Sequence, residues 1–119
     1  MAIENTDPAN QLRLDLNVIL RLQQDLGEDT SMVLGSYIES INEQIQNLAT
    51  SGILTRRDDL HRWAHTLKSS CRCIGALKLA AMAAALEFAF EQGINIDIAA
   101  DLPPIQAEYE LLLTEISGH

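Results

Sequence analysis

Residues 55–75 read TRRDDLHRWAHTLKSSCRCIG, from Thr55 to Gly75, and the spacing of their apolar side chains decides the fold. An α-helix advances about 100° per residue, so Leu60, Trp63, Leu67, Ser70, Cys71 and Ile74 gather within roughly 60° of the pole opposite His65. His61, Lys68, Ser69 and Arg72 fall on the same side as His65. The spacing therefore predicts an amphipathic helix with an imidazole at the middle of its wet face, flanked by cations and a small residue. Thr55 with Asp58 three residues on forms a candidate capping box at its start. Gly75 is placed to end it in a left-handed conformation.

Working outward, four further segments carry helical periodicity. Asp15 is a candidate N-cap for a short helix with Leu16, Ile19, Leu20 and Leu26 on one face, ended by Gly27. Asp29 or Thr30 would cap a longer helix whose stripe is Leu34, Ile38, Ile41, Ile45 and Leu48, stopped by Gly52. After the central helix, Leu77 to Gln92 places Leu79, Met82, Ala83, Leu86 and Phe90 on one face. Alanines at 80, 81, 84, 85 and 89 fill much of the rest, so this helix should be the most buried. Asp101 is expected to cap the last helix, with Pro103 and Pro104 in its first turn and Leu102, Ile105, Tyr109, Leu112 and Ile116 as its stripe. The expected architecture is all-α: an antiparallel up-down-up-down four-helix bundle with a short additional N-terminal helix. Residues 15–117 form the bundle domain, and residues 1–14 read as a loosely ordered N-terminal arm.

Composition agrees and removes several function classes. The 119 residues are 47% hydrophobic but 4% aromatic, enough for one core of packed helices. The longest apolar stretch, Leu79 to Phe90, is interrupted by Glu87 and falls well short of the about 20 residues a bilayer needs. With a polar start and no signal-peptide pattern, no membrane association is expected. Cys71 and Cys73 point about 200° apart on a helix, which argues for reduced thiols in a cytoplasmic protein. Net charge is −9, yet six of the eight Lys and Arg residues lie between Arg56 and Lys78 beside only two acids. A local cationic patch on an acidic body suits a phosphoryl group or an acidic protein surface, and it excludes nucleic acid as a partner.

The run AHTLKSSCRCIGALKL, Ala64 to Leu79, resembles the signature of the histidine-containing phosphotransfer (HPt) domains of phosphorelays. His65, Lys68, Ser70, Gly75 and Ala76 match it residue by residue, and the Leu26-Gly27 turn and the Ala-rich helix bearing Leu86-Glu87 extend the similarity. Ser69 departs from the Gly most common there, but it is still small. The resemblance implies that His65 is the phosphoacceptor and Lys68 an electrostatic stabiliser, with His61, Ser69 and Arg72 bordering a partner surface. It also implies that the partners are a response-regulator receiver domain and a hybrid sensor histidine kinase.

The residues fit that chemistry. A neutral imidazole keeps a lone pair on one ring nitrogen and can attack phosphorus without an activating base. Lys68, one turn along, supplies fixed positive charge. The chain has no Gly-rich nucleotide loop and no convincing Mg²⁺ carboxylate cluster, so it reads as a phosphocarrier without autonomous kinase activity and without a cofactor. The Mg²⁺ is expected on the receiver partner. His61 and His65 have the spacing of a two-histidine metal site, but no third ligand is evident and no metal is expected. The chain is expected to act as a monomer. The competing function is a non-phosphorylated helical adaptor that binds receivers or other helices.

Overall fold

The computed structural model describes residues 7–118, which hold helices α1 (Leu16–Leu26), α2 (Thr30–Ala49), α3 (Arg57–Cys73), α4 (Leu77–Glu91) and α5 (Ile98–Ser117). Short 3-10 turns occupy Pro8–Asn10 and Gly27–Asp29. The four long helices run antiparallel as an up-down-up-down bundle, with α1 as the short extra element. The central helix α3 packs against both α2 and α4, and α5 packs against the same two. Leu67, Cys71 and Ile74 of the α3 segment are completely buried with Ile41, Ile45 and Leu48 from α2, Leu79 from α4 and Leu112 from α5. Burial pushes the Cys71 thiol up to about 12, so it behaves as a packing group. As expected, α4 is rich in buried residues: Leu79, Ala80, Ala83, Leu86, Glu87, Ala89 and Phe90.

Several helix ends differ from expectation, each for a local reason. Asp15 caps α1, accepting from the Asn17 N–H at 3.0 Å. On α1, however, Leu16 and Leu20 are exposed, while Ile19 is buried and Leu22 packs beside the core. Asp29 makes no side-chain cap to α2. Instead the buried Thr30 hydroxyl donates back to the Gly27 and Leu22 carbonyls at 2.7 and 3.3 Å. Helix α2 ends at Ala49, before Gly52, because the Thr50 and Ser51 hydroxyls donate to the Gln46 and Leu48 carbonyls. Thr55 does not form the capping box. Its hydroxyl accepts from the Gly52 N–H at 2.8 Å, closing the preceding turn, and α3 starts at Arg57. Helix α5 begins one turn earlier than expected, capped by Asp97, which accepts from Ala99 N–H at 3.1 Å. Pro103 and Pro104 thus lie inside the helix and not in its first turn. The carbonyls that lose their partners belong to Ala99 and Ala100, which are exposed and can be served by water.

Residues 1–6 of the arm expected over 1–14 lie outside the described residues. Residues 7–14 are tied down. Leu14 is buried, and the Leu12 carbonyl accepts from Lys78 N–H at 2.8 Å, capping an α4 start that has no side-chain cap of its own. The Arg13 guanidinium donates to the buried Glu108 of α5 at 2.7 Å, and Lys78 approaches the same carboxylate at 3.6 Å. A carboxylate withdrawn from water requires such partners.

Gly75 links these parts. It has φ 78° and closes α3 with N–H bonds from Gly75 to the Arg72 carbonyl and from Ala76 to the Cys71 carbonyl. Its own carbonyl accepts from Asp15 N–H at 2.8 Å, bringing α1 against the α3–α4 corner. A Cβ here would lie 2.8 Å from the Asp15 carbonyl oxygen and 2.9 Å from Val18 Cβ. Gly75→Ala is therefore expected to lower unfolding free energy by about 1–3 kcal/mol, read by chemical denaturation; an unchanged midpoint would contradict this packing account.

Candidate functional site

Midway along α3, His65 turns its ring outward and its side chain is 56% exposed. The remaining expected site residues share that flank with different exposures. Ser69 and Arg72 are exposed, and His61 is half-buried. Ser70 faces inward and shares a 3.0 Å hydrogen bond with Ser40 of α2, fixing the α2–α3 packing beneath the site. The His61 and His65 rings lie nearly parallel, 13° apart with centroids separated by 6.4 Å.

The residue that organises the site is Glu87 of α4, whose side chain is only 9% exposed. One carboxylate oxygen, Oε2, accepts from His65 Nδ1, and the other, Oε1, accepts from Lys68 Nζ. Burial tends to raise the Glu87 pKa, but the hydrogen bonds and charges of Lys68 and His65 together outweigh it and leave the carboxyl below its ordinary value. The group is therefore an acceptor only, so the proton it meets must sit on His65 Nδ1. In the neutral imidazole the lone pair then lies on Nε2. Lys68 is more enclosed than its place on the wet face of the helix implied: its side chain is 17% exposed and folded onto Glu87. It remains on the same flank as His65, joined to it through one carboxylate.

The role of Glu87 was missed in the sequence, where it served as an interruption of the apolar stretch and, within Leu86-Glu87, as part of the resemblance. Its signal was a lone acid among alanines on the helix expected to be most buried, since an acid is rarely buried without a partner. A third metal ligand was likewise not evident in sequence. The fold supplies carboxylates from α4, for His61 Nε2 lies 3.0 Å from Glu91 Oε1 and 3.8 Å from Glu87 Oε2.

The depressed Glu87 carboxyl makes a signed prediction. A carboxyl whose folded pKa is lowered stabilises the fold above its unfolded value, about 4.5, and that contribution disappears as pH falls through the folded value. Denaturation of wild type and Glu87→Gln between pH 7 and pH 3 should show stability curves that diverge near neutrality and converge in acid. Parallel curves would contradict the bridging role.

Among solved structures, the chain resembles the crystal structure of histidine-containing phosphotransfer protein B (HptB) from Pseudomonas aeruginosa PAO1. The TM-score is 0.77 at 21% identity, over 84% of this chain and 87% of that one, which establishes a shared fold. A comparison with curated protein sequences finds no match. The family model described as Hpt domain matches residues 32–118, spanning α3 and α4 whole together with α5 and nearly all of α2. The chain belongs to the Hpt domain family.

Proposed function

We propose that this protein is a histidine phosphotransfer module in which His65 accepts a phosphoryl group and passes it to or from the aspartate of a response-regulator receiver domain. The observation that carries the reading is an exposed imidazole whose Nδ1, and not Nε2, is held by a buried carboxylate. In the forward step the Nε2 lone pair attacks phosphorus, the bond from phosphorus to the receiver's aspartyl oxygen breaks, and the aspartate leaves as a carboxylate. The reverse step returns the group to the same kind of acceptor. Positive charge develops on the ring as the N–P bond forms, and the Glu87 carboxylate at Nδ1 offsets it, much as the aspartate of a hydrolase triad does for its histidine.

Lys68 has two tasks in this reading. It neutralises the buried Glu87, and its ammonium gives the His65 flank a fixed positive charge toward an incoming phosphoryl group. Ser69 keeps the surface beside the ring low enough for a receiver to approach, and Arg72 and His61 border the docking face. The Mg²⁺ needed for transfer is assigned to the receiver. The chain acts as a monomeric phosphocarrier without kinase activity of its own, exchanging phosphate with a hybrid sensor histidine kinase or with receivers. The free thiols of Cys71 and Cys73 suit the reducing cytoplasm. Among the described residues, no helix is long and apolar enough to cross a membrane.

The direct experiment mixes the protein with a phosphorylated receiver and follows acid-labile, alkali-stable label. Label should appear on wild type and be absent from His65→Gln. Label that persists in that variant would place the acceptor elsewhere, and no label from any receiver would favour the helical adaptor. Lys68→Ala should slow transfer roughly tenfold or more. Because it strips one partner from the buried Glu87, it should also cost about 1–3 kcal/mol of stability. A transfer rate equal to that of a variant at a distant arginine, such as Arg21→Ala, would argue against the electrostatic role.

A further inference from the structure

The flank of His65 away from Lys68 holds a second arrangement, which shares Glu87 with the phosphotransfer site. His61 Nε2, one carboxylate oxygen of Glu87 and one of Glu91 lie within 4.8 Å of one another. Two of the separations, His61 Nε2 to Glu91 Oε1 and to Glu87 Oε2, are 3.0 and 3.8 Å. Ligand atoms bound tetrahedrally to zinc at about 2.0–2.2 Å stand about 3.3–3.6 Å apart, and these two separations bracket that range. The donors come from two rigid helices, with Glu87 and Glu91 one turn apart on α4 facing His61 on α3. Glu87 is anchored below by Lys68 on its other oxygen, and Glu91 is half-exposed, leaving an approach from solvent.

We propose that His61, Glu87 and Glu91 bind a divalent transition-metal ion of the zinc class, with solvent in the fourth position. One imidazole nitrogen with two carboxylates suits zinc. Magnesium is less suited, since it prefers oxygen ligands in octahedral geometry and retains several waters. Two carboxylates beside one ammonium leave this corner of the site negative, which favours a dication.

The metal and the His65 hydrogen bond compete for one atom. Glu87 Oε2 is the acceptor that fixes His65 Nδ1, and a metal coordinated there draws its electron density away from the ring. Zinc bound to this triad therefore lowers phosphoryl transfer. That consequence rests on the phosphotransfer reading given above; the binding itself does not.

Zinc chloride titrated calorimetrically into the full chain, in a Cys73→Ser background that removes the exposed thiol, tests the site. One zinc per chain is expected, with affinity falling tenfold or more in both His61→Ala and Glu91→Gln, and with magnesium showing no comparable binding. Absence of one-to-one binding, or equal affinity in wild type and both variants, would overturn the site; equal binding of magnesium would overturn the metal class. In a second arm, zinc should slow transfer to the wild type severalfold and have no such effect on Glu91→Gln. Equal slowing of both would overturn the competition. If no transfer occurs even without zinc, the phosphotransfer reading fails while the calorimetric result still decides the metal site.

Discussion

Much of the molecule can be understood from one buried carboxylate. Glu87 lies on the most apolar helix of the bundle, where an unpaired negative charge would cost several kcal/mol by an order-of-magnitude estimate. It is held there because α3 presents His65 and Lys68 to its two oxygens. The same pairing that makes the charge tolerable fixes the tautomer of the imidazole and the position of the lysine. Stability and reactivity are thus coupled through a single side chain: the bundle orders the carboxylate, and the carboxylate orders the ring.

The scaffold serves that contact by holding α3 and α4 in fixed register. Gly75 permits the sharp corner between them, and its carbonyl receives the start of α1. The Arg13 and Lys78 contacts to buried Glu108 secure the N-terminal strap and α4 to α5. At the other side, the Ser40 to Ser70 hydrogen bond locks α2 under the reactive face. Two buried acids, Glu87 and Glu108, therefore have different tasks. Glu108 joins the strap to the bundle, and Glu87 ties His65 and Lys68 of α3 to α4.

The fold was legible because helix periodicity is a local property. The stripe from Leu60 through Leu67 and Cys71 to Ile74, and that of Ile41, Ile45 and Leu48, found the core, and the same wheel put His65 on the solvent side, where its side chain is exposed. Helix ends were read less well because several hydroxyls and acids could serve each one. Thr55 was spent on the Gly52 turn, and Asp97 outcompeted Asp101 as the cap of α5. The burial of Glu87 left a signal, but its partners did not, since 22 residues separate it from His65 in sequence and no periodicity encodes which residues of two helices meet. The burial of Lys68 was hidden for the same reason: a wheel drawn on α3 alone gives its flank but has no α4 to draw it down.

The central claim is that Glu87 reserves Nδ1 of His65 and leaves Nε2 as the nucleophile. Phosphorus and nitrogen NMR of the protein, phosphorylated by a receiver, reads that choice directly from the coupling between phosphorus and each ring nitrogen. The account predicts a phosphoryl group on Nε2 of His65 with the proton retained on Nδ1. Phosphorylation at Nδ1 would contradict it, because the nitrogen attached to phosphorus would then be the one this structure commits to Glu87.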